Sequence, residues 1–186
     1  GQMMEPAELP PMMPVRKLAE RPSWALTGAK NRKPNVISSI YIDPVEEEVF
    51  NRKLMDKRPV IEANEVRFKE LAMDDAEFAV IAFGTAGRVA QSAVKAAREE
   101  GIRVGLLRPI SLYPYPFERV RALANQVRTI LVVEMNGGQM VEDVRLAVQG
   151  RVPVSFYGRM GGMVPLPDEV LDEIRKVHVA AAGQTG

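Results

Sequence analysis

Residues 131–140 read LVVEMNGGQM: a carboxylate, Glu134, an amide, Asn136, two glycines and a second amide, Gln139, directly after an apolar run. A carboxylate at such a point could act in acid–base chemistry, hold a ligand, or only start a helix. General acid–base work needs a partner base, nucleophile or metal set within hydrogen-bond reach. No such set accompanies Glu134 in its own stretch. The other reading is structural: a charged strand end, Asn136 capping a helix, Gly137 and Gly138 permitting a sharp backbone approach, and Gln139 in the first turn. Upstream, Arg108 sits in the stretch LRPISLYPYP, residues 107–116. Its guanidinium suits an anion or a carboxylate. A polar network reaching from Glu134 across to Arg108 is the alternative to that structural reading, because both follow consecutive strands. Prolines stiffen this stretch, and Tyr113, Tyr115 and Leu112 give it apolar area suited to a subunit contact. Tyr115 has no visible partner for acid–base work.

Two further loops have the same position after strands. In Phe83-Gly84-Thr85-Ala86-Gly87 the glycine spacing of a dinucleotide fingerprint is missing. Gly84 eases the turn and Thr85 caps the helix, with a phosphate on the exposed amides as the alternative. Tyr157–Met163 is glycine-rich and carries Arg159, but lacks the lysine and spacing of a Walker loop. Contact with a partner is its favoured use. His178 is read as a surface or capping residue near a helix end.

The elements that position these loops follow from the apolar pattern. Phe78–Phe83, Ile102–Leu107, Thr129–Val133 and Val152–Phe156 are short continuous apolar runs. Helical segments follow them: Gly84–Glu100, Phe117–Gln126, Gln139–Val148 and Pro167–Val177. Strands that are apolar throughout, alternating with helices, indicate a mostly parallel sheet covered on both faces. Ligands of such sheets gather beyond the carboxyl ends of the strands. Residues 1–70 differ: eight prolines from Pro6 to Pro59 interrupt them. A short strand is expected at Val36–Ile42 and a helix at Val45–Lys57, with Trp24, Ile40, Tyr41 and Phe50 as anchors. The organisation expected is an extended arm with short elements over 1–70, an α/β domain over 71–179 and a flexible tail over 180–186.

Composition narrows the chemistry. With 186 residues and a net charge of +1, the chain suits one ordinary domain plus an extension and has no general attraction for nucleic acid or anionic membranes. It has no cysteine and one histidine, which excludes a cysteine-ligated cluster, a disulfide, a cysteine nucleophile and a histidine-rich metal site within the chain. No apolar run approaches a membrane span, and the start lacks a signal core, so a cytoplasmic location is expected. Gly1 in place of methionine is read as an excised fragment or a fusion scar.

Taken in order, residues 107–116 (LRPISLYPYP) and 133–140 (VEMNGGQM) resemble the C-terminal domain of the alpha subunit of 2-oxoacid:ferredoxin oxidoreductases, the enzymes of 2-oxoglutarate, branched-chain 2-oxoacids and pyruvate. The family pattern there is LRP-I-[ST]-L-[WY]-P-[FY]-P followed by E-x-N-x-GQ. The match runs from about Phe78 to Val177. TGAKNRKP, residues 27–34, with the later Arg52-Lys53-Leu54, resembles the segment joining this domain to the thiamine-pyrimidine-binding domain. The resemblance implies a three-layer α/β/α fold like the transketolase C-terminal domain. Its five-stranded sheet would be mostly parallel, with an antiparallel edge strand from the N-terminal part. It implies a complex that decarboxylates a 2-oxoacid on thiamine diphosphate with magnesium, passes electrons through iron–sulfur clusters to ferredoxin, and acylates coenzyme A. None of these cofactors is expected in this chain. No catalytic or metal-binding residue is assigned to it either. Arg108, Tyr113, Tyr115, Glu134, Asn136 and Gln139 are expected to structure an interdomain face toward the other subunits, with self-association of the chain as a further use of that face. Two alternatives stand beside this: the C-terminal domain of a transketolase or 2-oxoacid dehydrogenase E1 beta subunit, and a nucleotide-sensing or interaction module. The particular 2-oxoacid is not legible.

Overall fold

The computed structural model describes residues 20, 24–28, 30–34 and 36–182. Val60 onward forms one compact unit and the described residues up to Pro59 belong to another. The elements in chain order are α1 (Pro44–Glu65), β1 (Phe68–Leu71), β2 (Phe78–Ala82), α2 (Gly84–Glu99), β3 (Val104–Pro109), α3 (Phe117–Leu123), β4 (Ile130–Glu134), α4 (Met140–Val148), β5 (Val154–Gly158) and α5 (Pro167–Ala182).

The five strands form one sheet in the order β1-β3-β2-β4-β5. β2 pairs in parallel with β3 and with β4, and β4 with β5. β1 is the antiparallel edge, with Lys69 opposite Arg108 and Leu71 opposite Leu106. This is the three-layer α/β/α sheet expected. Burial follows rank in the sheet: every residue of the central β2 and β4 is buried, while the edge strand β5 is half-buried and β1 is largely exposed. Alternate side chains enter opposite layers. Ile81, Leu107, Ile130 and Val132 pack with α3 and α4 residues such as Leu123, Val141 and Val144. Val80, Leu106, Leu131 and Val133 pack with α2 and α5 residues such as Val89, Val94, Val170 and Ile174. Arg98, near the end of α2, donates to Asp75 at 2.7 and 2.8 Å, to the Ala72 carbonyl at 2.6 Å and to the Val104 carbonyl at 2.7 Å. It thereby clamps the connection between the antiparallel edge and the sheet centre.

Several expectations change. Val36–Ile42 forms no strand; Ser38 Oγ instead accepts the Ile40 N–H at 3.2 Å, a local bond that competes with strand pairing. The helix expected at Val45–Lys57 runs from Pro44 to Glu65. Asp43 Oδ1 caps it through Val45 N–H at 2.7 Å, and Pro44 occupies the first helical position, where its missing N–H costs nothing. The helix continues through Pro59, which removes one internal bond without ending it. Trp24 and Ile40 stay exposed rather than anchoring, while Tyr41 and Phe50 pair with ring centroids 4.8 Å apart. Residues 180–182 continue α5. Among the described residues no helix is long and apolar enough to cross a membrane.

Candidate functional site

β4 delivers Glu134 to the carboxyl end of the sheet, where its side chain is wholly buried. The carboxylate serves the helix that follows. Oε2 accepts the Met140 N–H at 2.9 Å and, more weakly, the Gln139 N–H at 3.4 Å, while Oε1 accepts the Val141 N–H at 3.0 Å. Asn136 Nδ2 donates to Oε2 at 3.0 Å. An anion at a helix start takes up amides that have no internal partner and meets the positive end of the helix dipole. The capping role expected of Asn136 therefore belongs to Glu134. Asn136 Oδ1 instead accepts the Gly138 N–H at 2.7 Å and holds the loop before the helix. Gln139 is the N-cap by position, but its side chain makes no capping bond.

The alternative network between Arg108 and Glu134 does not form. The two strands are consecutive in the parallel series of the chain, but β2 lies between them in the sheet. Parity separates them further. Arg108 shares its side of β3 with Leu106, toward α2, whereas Glu134 shares its side of β4 with Val132, toward α4. Arg108 Nη1 donates to Gln91 on α2 at 3.1 Å. The guanidinium lies against α2 because Gly87 carries no side chain; a Cβ there would be 3.1 Å from Arg108 Nε. Thr85 does not cap α2 either. The N-cap is Phe83, without a side-chain bond, and Thr85 already lies inside the helix.

The loop after β5 is locked to the same corner. Arg159 N–H donates to the Glu134 carbonyl at 3.1 Å. A Cβ at Gly158 would overlap the Asn136 carbonyl, so only glycine permits this approach of the two loops. A second carboxylate, Glu169, completes the lock. It accepts the Tyr157 hydroxyl at 3.1 Å and the Leu166 N–H at 3.0 Å, and pairs with Arg159 at 3.4 Å. The Leu166 amide first, then Tyr157 and Arg159, hold its carboxyl below the usual range against the opposing effect of burial. His178 lies within α5, which continues past it, and stacks on Phe78 with centroids 6.1 Å apart. It is therefore a packing residue rather than a helix-end cap.

Tyr113 and Tyr115 part company. Tyr113 is 65% exposed, beside exposed Ile110 and Leu112. Tyr115 is 5% exposed and enters the core layer under α3 and α4, edge-on to Phe117 at 5.1 Å. The alternation across Pro114 points one ring out and one in, so the pair does not form a single contact face. The Tyr115 hydroxyl is buried without a hydrogen-bond partner. Burial, and then the charges of Asp143 and Glu134, push this phenol well above the usual tyrosine range. Asp143, half-buried on α4, is itself raised, by burial first and by Glu134 second. Among the described residues no group of three or more His, Cys, Asp or Glu is placed to hold a metal ion.

The model of the pyruvate:ferredoxin oxidoreductase core domain II matches residues 76–170, the span from β2 into α5 that carries this whole corner. The chain belongs to that family, within the 2-oxoacid:ferredoxin oxidoreductases. Ketoisovalerate oxidoreductase subunit VorB of Methanothermobacter marburgensis is 44% identical over 95% of this chain and 49% of its own length. The 2-oxoglutarate synthase subunit KorA of the same organism is 40% identical over 54% of this chain and 27% of its own. The chain thus spans about half the length of the VorB relative. In fold it is similar to a 2-oxoglutarate:ferredoxin oxidoreductase from Magnetococcus marinus, with a TM-score of 0.61 and 18% identity over 74% of this chain and 24% of that one. A split-gene transketolase is similar at a TM-score of 0.50 and 17% identity over 60% of this chain and 41% of that one.

Within this family domain, sequence reasoning located the corner but missed Asp143 and Glu169. Glu169 had a usable signal. It stands three residues after Leu166 in the first turn of a helix opened by Pro167, where a carboxylate reaches back to a free amide. Asp143 had none, because its half-burial on α4 near the Glu134 charge is set by tertiary packing.

Proposed function

We propose that this chain is an accessory, non-catalytic portion of the alpha subunit of a thiamine-diphosphate-dependent 2-oxoacid:ferredoxin oxidoreductase, serving as scaffold and interface. One observation carries this reading. Glu134, the residue best placed for chemistry, is wholly buried, and both its oxygens are engaged by α4 amides and Asn136. A carboxylate so engaged organises loops and is not poised to move protons. The loop after β3 displays Ile110, Leu112 and Tyr113, and the loop that Glu134 organises after β4 displays Met135, all exposed. The backbone of Arg67 braces the first of these loops, accepting the Ile110 and Ser111 N–H groups at 2.9 and 3.1 Å. Rigid apolar loops of this kind suit a subunit contact.

The residues before β1 then form the arm leading to a thiamine-pyrimidine-binding domain, and β1 through α5 the interface domain. The parent assembly would use thiamine diphosphate, magnesium, iron–sulfur clusters and coenzyme A in the cytoplasm, with ferredoxin as its electron acceptor. Among the described residues no three potential metal ligands converge, and the chain has no cysteine to ligate an iron–sulfur cluster. The similarity to ketoisovalerate oxidoreductase subunits across 95% of the chain favours a branched-chain 2-oxoacid for that assembly.

The test is reconstitution with the remaining subunits, followed by 2-oxoacid-dependent ferredoxin reduction on ketoisovalerate, 2-oxoglutarate and pyruvate. The expected result is activity only in the assembly, highest on ketoisovalerate. Decarboxylation by this chain alone overturns the scaffold reading, and a preference for another acid overturns the substrate assignment.

A further inference from the structure

The antiparallel edge of the sheet sets two cations against each other. Lys69 of β1 stands directly opposite Arg108 of β3, as Leu71 does Leu106. Opposed residues of an antiparallel pair share a face, with Cβ atoms about 4.5–5.5 Å apart, and like charges so placed repel. Neighbouring side chains confirm the face: Leu71 and Leu106 pack in the α2 layer, whereas Glu70 turns to the other side and holds Arg119 of α3 at 2.6 Å. α2 packs on β2 and β3, and Lys69 on the flanking edge strand is exposed. The nearby carboxylates are engaged elsewhere: Glu65 pairs with Arg67 at 2.9 Å, Glu70 with Arg119, and Asp75 with Arg98. Arg98, Arg119 and Arg159, half-buried like Arg108, each hold a carboxylate. Arg108 has only the neutral amide of Gln91, on Nη1 at 3.1 Å. Its Nε and Nη2 make no hydrogen bond among the described residues and keep accessible surface. Lys69 likewise has no ion pair among the described residues. What completes this pair is an oxygen anion that accepts from both. Two cations in a chain of net charge +1 make no track for a nucleic-acid backbone. The adjoining surface is apolar: exposed Ile110, Leu112 and Tyr113 follow Arg108, in a loop tied to the start of β1 by the Arg67 carbonyl. Charge edged by a braced apolar loop fits a polypeptide surface.

We propose that Lys69 and Arg108 form the receptor for one aspartate or glutamate side chain of another subunit of the oxidoreductase assembly. This rests on the scaffold-and-interface reading above. The partner's carboxylate accepts from the Arg108 guanidinium and the Lys69 ammonium, and it offsets the repulsion between them. The apolar loop beside them supplies contact area around the charged pair.

The experiment uses the full subunit with the remaining subunits of the complex. The assembly is treated with a carbodiimide, which joins an amine to a contacting carboxylate as an amide and carries the water away as its urea, and the linked peptides are identified by mass spectrometry. Expected is a link from Lys69 to an aspartate or glutamate of another subunit. Variants are then titrated with the other subunits at several salt concentrations. Lys69→Glu places an acid opposite Arg108 and fills the receptor from within, so its affinity should fall about tenfold or more. Lys69→Gln and Arg108→Gln should each lose affinity with a shallower salt dependence. Arg151→Gln, an exposed arginine before β5 at the opposite end of the sheet, should lose none. The free Lys69→Glu subunit should unfold at the same or higher urea concentration than wild type, which separates lost binding from lost folding. If wild type assembles and Lys69→Glu assembles equally well, or if Lys69 links only to an acid of its own subunit, the receptor is refuted while the scaffold reading stands. An equal loss in Arg151→Gln also refutes it, since the effect is then general charge. Saturable binding of inorganic phosphate to the free subunit, lost in Arg108→Gln and without any link to another subunit, makes this a small-anion site and overturns the proposal. If wild type does not assemble, both readings fall.

Discussion

Replacing Glu134 with glutamine isolates the cap from the shape of the side chain. The substitution keeps the volume and one oxygen but puts an NH2 group where an acceptor stood. In one orientation that nitrogen faces the Val141 N–H; in the other it faces the Met140 N–H and Asn136 Nδ2. Either way at least one buried donor loses its acceptor, at ~1–3 kcal/mol, and the surviving bonds lose charge assistance at about 1 kcal/mol each. Relief from burying a charge offsets part of this. The net expectation is a loss of ~2–4 kcal/mol, most of it the orphaned donor and the weakened cap. At roughly 2–4 °C per kcal/mol for a chain of this size, the melting temperature should fall by about 4–16 °C. Urea unfolding followed by circular dichroism measures the loss, and amide hydrogen exchange locates it. The Met140 and Val141 amides should exchange faster while those of β2 change only with global stability. A loss below ~0.5 kcal/mol, the scale of a neutral surface change, would refute the claim that this carboxylate holds α4.

Asp143 gives a prediction of opposite sign. Its folded value is raised above the ordinary 3.8 by burial and then by Glu134, so the folded chain binds the proton more readily than the unfolded chain. Stability then falls as pH rises through that window, and Asp143→Asn should be the more stable form at pH 7 and equal to wild type below 3.8; a lower urea midpoint at pH 7 would contradict this. Glu169 behaves conversely. Its lowered value contributes stability above the ordinary 4.5 that is lost on acidification, so the gap between wild type and Glu169→Gln should be present at pH 7 and shrink as pH drops. Tyr115→Phe removes a buried hydroxyl without a partner and should leave the free chain unchanged or more stable by about 1 kcal/mol in urea unfolding, whereas exposed Tyr113→Ala should change it by less than ~0.5 kcal/mol. Gly158→Ala forces a Cβ into the Asn136 carbonyl and should lower the urea midpoint by the equivalent of ~2 kcal/mol or more; an unchanged midpoint would show that the two loops separate freely.

Local pattern was enough for the elements of the α/β core. Phe78–Ala82 and Ile130–Glu134 are apolar through and through, and a run without alternation is a strand buried on both faces whatever the rest of the chain does. The antiparallel edge was legible only through family resemblance, since Phe68–Leu71 is short, charged and exposed. The candidate corner was half legible. Position after a strand placed Glu134, Asn136 and Arg108 at the same end of the sheet, because parallel strands end on one side. Whether they meet depends on strand order and side-chain parity together. Parity can be counted along each strand, but it becomes a shared face only once pairing sets the registers. β2 inserts between β3 and β4, and Arg108 turns toward α2 while Glu134 turns toward α4. The same holds for Tyr115, whose burial depends on packing the loop, α3 and α4 over one face of the sheet. Sequence thus determined which residues were available at the carboxyl ends of the strands. Tertiary structure decided which of them touch, because electrostatics and hydrogen bonding act over a few ångströms of space and not over distance along the chain.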